Sequence, residues 1–361
     1  MSFWEGRRVF VTGHTGFIGG WLCTWLLRQG AQVCGLGLKP PSQPNLFETL
    51  GLSERMESVI ADIRDQVLLS RTLQYVAPEV VFHLAAQPIV RVAYKEPLET
   101  LEVNIMGTAS LLEAVRSIAS VRSVVVFTSD KVYDNQEWEW GYRENDRLGG
   151  REPYGVSKAC VEMVTEAYCR SYFDGHPGRI GVATVRAGNV VGGGDWAEDR
   201  LVPDAVRAFS SDEPLRVRNA PAVRPWQHVL EVACGALVLG ERLTEDPAGA
   251  SGPWNFGPAQ PAVSNVATMA EMLTRAWGGR ARWEKVDDDA HYEAMYLTVS
   301  SAKAASRLGW RTVWDLEETV HATVDWYRGS YGGKDMHQVT LQQIEAYTAL
   351  GRESGAAMPG G

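Results

Sequence analysis

Short apolar runs alternate with longer amphipathic segments through the first half of the chain. The short runs are rich in β-branched residues and predict buried strands, whereas the longer segments have the apolar spacing of helices. The predicted strands are residues 8–12, 32–36, 58–60, 80–84, 123–128 and 180–186. The predicted helices are residues 17–29, 66–75, 100–117 and 154–172. This alternation predicts an α/β fold with a Rossmann-like, doubly wound parallel sheet.

The pattern changes after Ala187, where loops rich in glycine, proline and tryptophan separate the helical segments. Helices are predicted near residues 203–209, 230–243, 263–277 and 316–327. We expect a dinucleotide-binding domain and a smaller mixed α/β domain that binds the substrate. The first covers residues 1–186 with a returning segment near 227–250, and the second covers 187–226 and 251–330. Residues 331–361 are expected to form a C-terminal helix and a tail, with 355–361 frayed.

The composition narrows the classes of partner. The 361 residues are 45% hydrophobic and 22% charged, which is enough for a sizeable packed core. The net charge of −9 argues against binding of nucleic acid or an anionic membrane, because both need a basic field. We expect no secretory signal and no membrane span. The five cysteines are scattered without metal or redox spacing, so we expect free thiols in a reducing cytoplasm and no metal site.

A glycine-rich loop follows the first predicted strand and precedes a predicted helix. It reads Gly13-His14-Thr15-Gly16-Phe17-Ile18-Gly19. Glycines let backbone amides approach a pyrophosphate, and the helix N-terminus presents free N–H groups and a positive dipole end to that anion. The order strand, loop, helix predicts a dinucleotide site, with an ordinary glycine turn as the alternative.

The adenosine end of that site lacks its usual marker. An acidic residue is expected at the end of the second strand, but the chain has Leu38-Lys39-Pro40 there. Lys39 either faces a 2′-phosphate, which would favour NADP over NAD, or lies in solvent. Asp62, followed by Ile63, either contacts the adenine or caps the next helix. After the fourth strand, Leu84-Ala85-Ala86 leave room for the cofactor.

Tyr154 and Lys158 are four residues apart on a predicted helix, so their side chains share one face. A phenol has a pKa of about 10. A neighbouring ammonium and a positively charged nicotinamide ring both favour the phenolate. Tyr154 is therefore a candidate base for a substrate hydroxyl. A chance pair on a surface helix is the alternative, but the glycine loop upstream favours a site of hydride transfer.

Ser129, Asp130 and Lys131 follow the fifth predicted strand. Functional groups collect at the carboxyl ends of strands in such sheets. Ser129 is a candidate donor to the reacting oxygen, and Asp130 and Lys131 supply an acid/base pair that alcohol oxidation alone does not require. The alternative is a capped turn with an exposed ion pair. The additional pair indicates an elimination step.

With these motifs assembled, residues 3–327 resemble the extended short-chain dehydrogenase/reductases, and among them the nucleotide-sugar 4,6-dehydratases. The other motifs that carry the resemblance are His83-Leu84-Ala85-Ala86-Gln87-Pro88, Gly141-Tyr142-Arg143-Glu144-Asn145, the run from Arg186 to Trp196, and Arg224-Pro225-Trp226-Gln227-His228-Val229. Dehydratases of dTDP- or GDP-sugars usually carry Asp-Glu where this chain has Asp130-Lys131. The pair therefore points to the branch that acts on CDP-sugars.

The resemblance implies dehydration of CDP-glucose to CDP-4-dehydro-6-deoxyglucose with NAD as cofactor. It assigns Tyr154 to the proton of the 4-hydroxyl while hydride leaves C4, Lys158 to the nicotinamide ribose, and Ser129 to O4. It makes Lys131 the base for the C5 proton and Asp130 the acid for the departing 6-hydroxyl, after which the hydride returns to C6. Asn104 matches an asparagine that stabilises the active-site helix.

The resemblance also implies a nucleotide-sugar site and a homodimer through a four-helix bundle of residues 100–117 and 154–172. Arginine forks suit a pyrophosphate. The implied substrate contacts are Gln87, Asn189, Arg200, Arg218, Arg224 and Asn255. Two departures stand out: Lys39 leaves NAD and NADP open, and Ile18 replaces a lysine common in CDP-glucose enzymes. Another nucleotide-sugar dehydratase, an epimerase, a 4-keto-sugar reductase and a non-catalytic nucleotide sensor are the alternatives.

Overall fold

The computed structural model describes residues 2–174, 180–258, 264–286 and 292–360. Its central element is a seven-stranded sheet in which every pairing is parallel. The strands are β1 (Arg8–Thr12), β2 (Gln32–Gly37), β3 (Glu57–Ile60), β4 (Val80–His83), β5 (Ser123–Phe127), β6 (Gly181–Ala187) and β11 (Gly252–Phe256). The six strands predicted from the sequence are confirmed, and no boundary differs by more than one residue.

The order of the strands creates a crevice at one edge of the sheet. They lie as β11-β6-β5-β4-β1-β2-β3, so the chain first runs outward from β1 to β3 and then from β4 in the opposite direction. In parallel α/β sheets the ligand crevice lies at the carboxyl ends of the strands where this reversal occurs. The predicted doubly wound α/β fold is confirmed.

Fourteen helices are present in the described part of the chain. They are α1 (Phe17–Arg28), α2 (Leu46–Thr49), α3 (Gln66–Val76), α4 (Val90–Lys95), α5 (Pro97–Leu101), α6 (Gly107–Val115), α7 (Pro153–Tyr168), α8 (Leu201–Ser210), α9 (Val229–Glu245), α10 (Pro247–Ala250), α11 (Val266–Trp277), α12 (Ala302–Leu308), α13 (Leu316–Tyr331) and α14 (Met336–Glu353). The predicted helix 100–117 is interrupted, because a π-helical turn, Glu102–Met106, joins α5 to α6. A second π-helical turn, Cys169–Phe173, extends α7. The predicted start near Val263 lies outside the described residues.

Three small strand pairs lie beyond the large sheet. β7 (Val190–Val191) pairs with β10 (Gln227–His228), and β8 (Leu215–Val217) pairs with β13 (Trp283–Lys285). β9 (Val223–Arg224) pairs antiparallel with β12 (Ser264–Asn265). These pairs and helices α8 and α11 form the part of the molecule for which the sequence predicts substrate binding.

The large sheet is covered by helices on both faces, and β5 illustrates why its sequence is apolar throughout. Val125 packs into the cluster that contains α1, α9, α13 and α14, whereas Val124 and Val126 pack into the cluster that contains α3, α6 and α7. Alternate residues of a strand point to opposite faces, so a strand buried on both faces needs a continuous apolar run. The sheet is therefore a fixed platform for the residues that follow each strand.

Two expectations from the sequence are corrected here. Strand β11 completes the large sheet beside β6, although its residues were assigned to the smaller domain. The tail is packed rather than frayed: Ala356 and Met358 are buried, the Gly360 amide donates to Glu241, and the Ala357 amide donates to Gly309 O. Short apolar residues in a glycine-rich tail give no sequence signal of such docking.

The five cysteines are present as thiols, and Cys23, Cys34 and Cys234 are buried. Within the described ranges, none of the helices combines the length and apolarity that a membrane crossing requires.

Candidate active site

A cavity of about 1690 Å³ runs along the carboxyl ends of the central strands and continues between the sheet and the smaller unit. Residues after β1, β2, β4, β5 and β6 line one side. Residues of α8, of β8 and of the loop after β6 line the rest. Residues of the predicted dinucleotide loop and the predicted arginines Arg200, Arg218 and Arg224 all line this cavity.

The glycine loop fits a dinucleotide pyrophosphate at the start of α1. Gly13 has a φ of +73°, and a Cβ there would lie 2.7 Å from the Ala85 amide nitrogen. A Cβ on Gly19 would overlap the Gly13 carbonyl oxygen. Helix α1 has neither a side-chain cap nor an acidic residue in its first turn. Its first N–H groups are therefore available to an anion, as a pyrophosphate requires.

The rest of the loop divides between cavity and core. Thr15, Gly16, Phe17 and Ile18 line the cavity, but the side chain of His14 does not. The His14 imidazole is buried, its Nε2 lies 2.7 Å from Ser58 Oγ, and it fills the space beside Gly35. Burial lowers the pKa of His14 to about 4, so the ring is neutral. The side chain of His14 is therefore not placed to contact the cofactor, and the predicted contact remains open only to its backbone amide.

At the adenosine end, Lys39, Asp62 and Ile63 line the cavity. The Asp62 carboxylate accepts hydrogen bonds from the backbone and the guanidinium of Arg64, at 2.7–3.0 Å. These bonds hold the pKa of Asp62 below its usual value. Asp62 does not cap the next helix, because Asp65 accepts the Leu68 amide at the start of α3. The Leu84, Ala85 and Ala86 segment also lines the cavity, as expected from its small residues.

Tyr154 and Lys158 lie on the face of α7 that meets the end of β5. The Lys158 ammonium donates to Phe127 O at 3.0 Å. Burial lowers the pKa of Lys158 to about 8, and the negative charge of Glu162 acts in the opposite direction. Burial also raises the pKa of Tyr154 to about 12, although a hydrogen bond with Ser129 lowers it. The two side chains and Ser129 thus form one buried cluster on the cavity wall.

Asp130 and Lys131 form a short turn behind that cluster. Asp130 is completely buried, and its Oδ1 accepts the Ser129 hydroxyl and the Lys131 ammonium, both at 3.0 Å. Its Oδ2 has no partner among the described residues and faces Gly188, where a Cβ would lie 3.2 Å away. Lys131 lines the cavity, whereas Asp130 does not. Lys131 therefore lies on the cavity wall, and Asp130 lies directly behind it.

Two predicted site residues, Asn104 and Gln87, have side chains that bond to other protein groups. Asn104 accepts the Gln87 amide at 2.8 Å and donates to Gln87 O and to Ser157 Oγ, so it ties α7 to the loop after β4. The Gln87 side chain is bonded to Thr100 and to the Ile89 backbone. Neither residue lines the cavity. The substrate contact predicted for Gln87 is replaced by a role in shaping this loop.

Asn255 is the other correction at the substrate end. It is fully buried on β11, where its amide donates to Tyr142 O and Ser300 O and its Oδ1 accepts the Tyr133 hydroxyl at 2.7 Å. All of these partners belong to the protein, and Asn255 does not line the cavity. It fixes Tyr133, which does line it.

The remaining predicted substrate residues lie together on the far wall. Each arginine is paired with an acid: Arg200 with Asp195 at 2.9 Å, Arg218 with Asp199 at 3.0 Å, and Arg224 with Glu293 at 3.6 Å. Asn189 also lines the wall, and its buried Oδ1 lacks a partner within the described ranges. Three guanidinium groups suit an anionic ligand. The unpaired Asn189 oxygen can accept a hydrogen bond from a hydroxyl or amine of such a ligand.

Sequence reasoning missed several residues around the reaction centre. Glu152 caps α7, because its carboxylate accepts the amides of Tyr154 and Gly155 at 2.6 and 2.7 Å, and it lines the cavity. Its position before Pro153 is a recognisable start signal for a helix. Tyr292, whose hydroxyl accepts a hydrogen bond from Arg151 and donates one to Glu137, had no such signal because its partners are distant in sequence.

Comparisons with known proteins agree with this arrangement. The family model described as GDP-mannose 4,6 dehydratase matches residues 10–323. A curated CDP-glucose 4,6-dehydratase of Salmonella typhimurium is 45% identical over 351 residues, which is 96% of this chain and 97% of that protein. A dTDP-glucose 4,6-dehydratase of Neisseria gonorrhoeae is 28% identical over 345 residues, covering 90% of this chain and 96% of that protein.

Among solved structures, a UDP-glucose 4-epimerase of Stenotrophomonas maltophila with bound NAD and formylated UDP-arabinopyranose is similar, with a TM-score of 0.80 and 25% identity. The match covers 91% of this chain and 99% of that one.

Proposed function

The chain belongs to the family of nucleotide-sugar dehydratases described as GDP-mannose 4,6 dehydratase, and on that premise we propose that it dehydrates CDP-glucose to CDP-4-dehydro-6-deoxyglucose. The name of the relative with 45% identity supports the choice of substrate. The turn of Ser129, Asp130 and Lys131 beside Tyr154 and Lys158 is the structural observation that carries the proposal. Alcohol oxidation requires only the pair of Tyr154 and Lys158, whereas this turn supplies a second acid/base pair, Asp130 and Lys131.

The cofactor of the proposed reaction is NAD, in agreement with the NAD-bound relative of known structure. NAD, when bound, accepts the hydride from C4 of the sugar and later delivers it to C6. The loop of residues 13–19 would hold the pyrophosphate, Asp62 and Ile63 the adenine end, and Lys158 the nicotinamide ribose. Leu84, Ala85 and Ala86 would form the wall beside it. We assign these contacts to the dinucleotide-binding domain and the nucleotide-sugar contacts to the smaller one.

In the oxidation step, Tyr154 removes the proton of the 4-hydroxyl. The Ser129 hydroxyl contacts Tyr154, and in the complex it would turn its hydrogen from Asp130 Oδ1 to O4 of the sugar. The Lys158 ammonium supplies the positive charge that favours the phenolate. Asn104 and Glu152 hold the helix that carries both residues.

In the elimination step, the C5 proton is acidic because it is α to the C4 ketone. Once the Lys131 ammonium has passed a proton to Asp130, the neutral amine of Lys131, which lines the cavity, removes the C5 proton. The Asp130 carboxyl, which lies behind the wall, protonates the departing 6-hydroxyl. The Lys131 ammonium and Asp130 Oδ1 are 3.0 Å apart, which is close enough for a proton to pass directly between them.

The substrate's diphosphate would bind Arg200, Arg218 and Arg224, with Asn189 as an additional contact. Each arginine would exchange its internal acid, which it contacts through a single nitrogen, for phosphate oxygens that a guanidinium can bind in a bidentate manner. This exchange explains how a chain with a net charge of −9 can bind a doubly charged ligand.

The proposal is tested by incubating the protein and NAD with CDP-glucose, dTDP-glucose, UDP-glucose and GDP-mannose in parallel. A 4-keto-6-deoxy product develops a chromophore in base, and we expect it with CDP-glucose in preference to the others. A product that keeps its 6-hydroxyl and changes configuration at C4 would identify an epimerase instead. No reaction with any of the four sugars would leave only a nucleotide-binding role.

The proposed assembly is a homodimer in which α5, α6 and α7 pair with their copies as a four-helix bundle. Apolar side chains protrude from these helices and from the turn between them: Leu98, Met106 and Met163 are 68%, 56% and 53% exposed. Such side chains are more exposed than a monomer surface favours when they lie together. Cysteines that are present as thiols support a reducing, cytoplasmic location.

A further inference from the structure

We propose that Glu162 and Arg186 are a positioning pair that locks the end of β5, which carries Ser129, against helix α7, which carries Tyr154 and Lys158. The proposal deepens the function proposed above and rests on it. Neither residue touches the cavity, so both act through their neighbours. They are almost completely buried, with 5% and 3% of their side chains exposed.

The pair is bidentate and joins three elements. Arg186 Nε and Nη2 donate to the two Glu162 oxygens, each at 2.9 Å. Thr128 on the loop after β5 donates its hydroxyl to Glu162 Oε1 at 2.6 Å, and Thr184 of β6 donates to Oε2 at 2.7 Å. The Glu162 carboxylate thus accepts four hydrogen bonds from β5, β6 and their ends.

The sequence positions of the bonded groups explain why the lock acts on the reaction centre. Glu162 follows Lys158 by four residues and Tyr154 by eight, so the three side chains lie along one stripe of α7. Thr128 immediately precedes Ser129. Phe127 O accepts the Lys158 ammonium at 3.0 Å, so two consecutive residues at the end of β5 are bonded to α7. Removing the Thr128 bond would leave the Ser129 hydroxyl free to shift relative to Tyr154.

Arg186 extends the lock to the elimination and substrate side. Its Nη1 donates to the Tyr133 hydroxyl and to Glu144 O, both at 2.9 Å. Tyr133 lines the cavity two residues after Lys131, and Asn189 follows Arg186 by three residues. One guanidinium therefore connects the turn of Asp130 and Lys131 with the start of the substrate wall.

The electrostatics favour a positioning role over a purely stabilising one. A buried ion pair costs desolvation that its attraction barely offsets, and apolar replacements are often equally stable. What such a pair supplies is fixed geometry. Here it also places a negative charge one helical turn from Lys158, where it opposes the loss of that ammonium's proton.

The test compares a mild variant, a paired variant and a remote control. Thr128→Val removes one hydroxyl that bonds Glu162 and leaves the ion pair intact. The double variant Glu162→Gln/Arg186→Met removes both charges together, so no unpaired charge remains buried. Glu162→Asp and Arg186→Lys preserve charge. The control is Glu79→Gln/Arg7→Met, a pair with atoms 3.2 Å apart next to the N-terminal ends of β1 and β4.

Melting temperature, kcat and KM are measured for each variant with whichever nucleotide-hexose the wild-type enzyme turns over. The Kd is measured for the nucleoside diphosphate of that substrate, which is CDP when the substrate is CDP-glucose. We expect kcat to fall about 3- to 10-fold in Thr128→Val and at least 30-fold in the double variant, with KM and the Kd for CDP within about threefold of the wild type. The two charge-preserving variants should retain more kcat than the double variant, and the control should retain the wild-type kcat.

The proposal is overturned if Thr128→Val keeps kcat within twofold of the wild type. It is equally overturned if kcat and CDP affinity fall together, or if the control loses as much kcat as the double variant. Thr128→Val decides the question even if the double variant does not fold. Failure of the wild-type enzyme on CDP-glucose, with turnover of another nucleotide-hexose, refutes the proposed substrate and leaves this test intact.

Discussion

At the scale of single residues, burial in the reaction centre favours the neutral forms of Tyr154 and Lys158, whereas catalysis needs their charged forms. Burial raises the pKa of Tyr154 to about 12 and lowers the pKa of Lys158 to about 8. Tyr154 is therefore a phenol at neutral pH until positive charge is added beside it. A bound nicotinamide ring would add that charge to the one already carried by the Lys158 ammonium. Catalysis is thereby made dependent on the assembled complex.

The first prediction concerns Tyr154→Phe. Removing the phenol oxygen removes the proposed base, and general-base catalysis contributes about 10²- to 10⁴-fold. We expect kcat to fall by at least about 10²-fold while the calorimetric Kd for CDP stays within about threefold of the wild type. Turnover close to the wild-type rate would remove Tyr154 from its assigned role.

The second prediction concerns the cost of burying Lys158. Its folded pKa of about 8 lies below the ordinary 10.5. Below pH 8 both folded and unfolded chains are protonated, and the full cost of the buried ammonium is present. Between about pH 8 and 10.5 only the unfolded chain keeps the proton, so the free energy of unfolding rises with pH by up to about 3 kcal/mol.

Lys158→Met should therefore raise the free energy of unfolding at pH 7 by about 1–3 kcal/mol, after the loss of the bond to Phe127 O is allowed for, and should flatten its rise above pH 8. Urea unfolding of the ligand-free protein measures both. Lys95→Met, at an exposed position on α4, is the control. A less stable variant, or an unchanged pH slope, would contradict this account.

At the scale of elements, the sequence predicted those features that depend on the residues of a single continuous segment. The continuous apolar run of β5 and the glycine loop before α1 gave strand boundaries and a cofactor site directly. Side-chain direction was not accessible in the same way. His14 turns into the core because Gly35 leaves space for it, and Gln87 and Asn255 bond to protein groups far away in sequence.

The same limit explains why the Glu162 and Arg186 pair was not predicted. The partners are 24 residues apart, and they meet only because α7 packs against β6. Arg186 belonged to a recognised motif, but nothing in that motif indicates which acid it meets. The amphipathic pattern of α14 also does not predict which helices it packs against.

The third prediction concerns that packing. The Tyr347 hydroxyl on α14 donates to Glu231 Oε2 of α9 at 2.6 Å, and both residues are fully buried. Glu231 Oε1 accepts the amides of Val313 and Trp314, so one carboxylate connects α9, α14 and the segment before α13. Burial raises the pKa of Glu231 to about 7, which shows how costly its charge is even with these donors.

Tyr347→Phe should lower the free energy of unfolding by about 1–3 kcal/mol at pH 7, because it leaves a buried carboxylate oxygen without its donor. Urea unfolding is the measurement. Tyr75→Phe, at an exposed position on α3, should change it by less than about 0.5 kcal/mol. Equal effects of the two substitutions would show that the Glu231 bond does not hold α14 in place.

At the scale of the whole molecule, the large sheet and the segments that follow β6 line one cavity, and each supplies groups that the other lacks. The large sheet provides the glycine loop and the buried Tyr154 cluster, whereas the smaller unit provides most of the paired arginines. A substrate that spans both needs a sugar at one end and an anionic, nucleotide-like part at the other. A nucleotide-linked hexose meets both requirements.

The fourth prediction concerns assembly. Met163→Glu places a charge in the proposed four-helix interface, where a carboxylate would be desolvated. We expect the mass from light scattering to halve from that of a dimer to that of a monomer. Val67→Glu changes a comparably exposed apolar side chain on α3, outside the proposed interface, and should leave the mass unchanged. A wild-type protein that scatters as a monomer would refute the bundle.

The central claim is that one site oxidises C4, eliminates water and returns the same hydride to C6. The most direct measurement follows deuterium from CDP-glucose labelled at C4, with the product analysed by mass spectrometry and NMR. We predict a 4-keto product that has lost water and carries the deuterium on C6. Deuterium that remains on C4, or a product that keeps its 6-hydroxyl, would contradict the account.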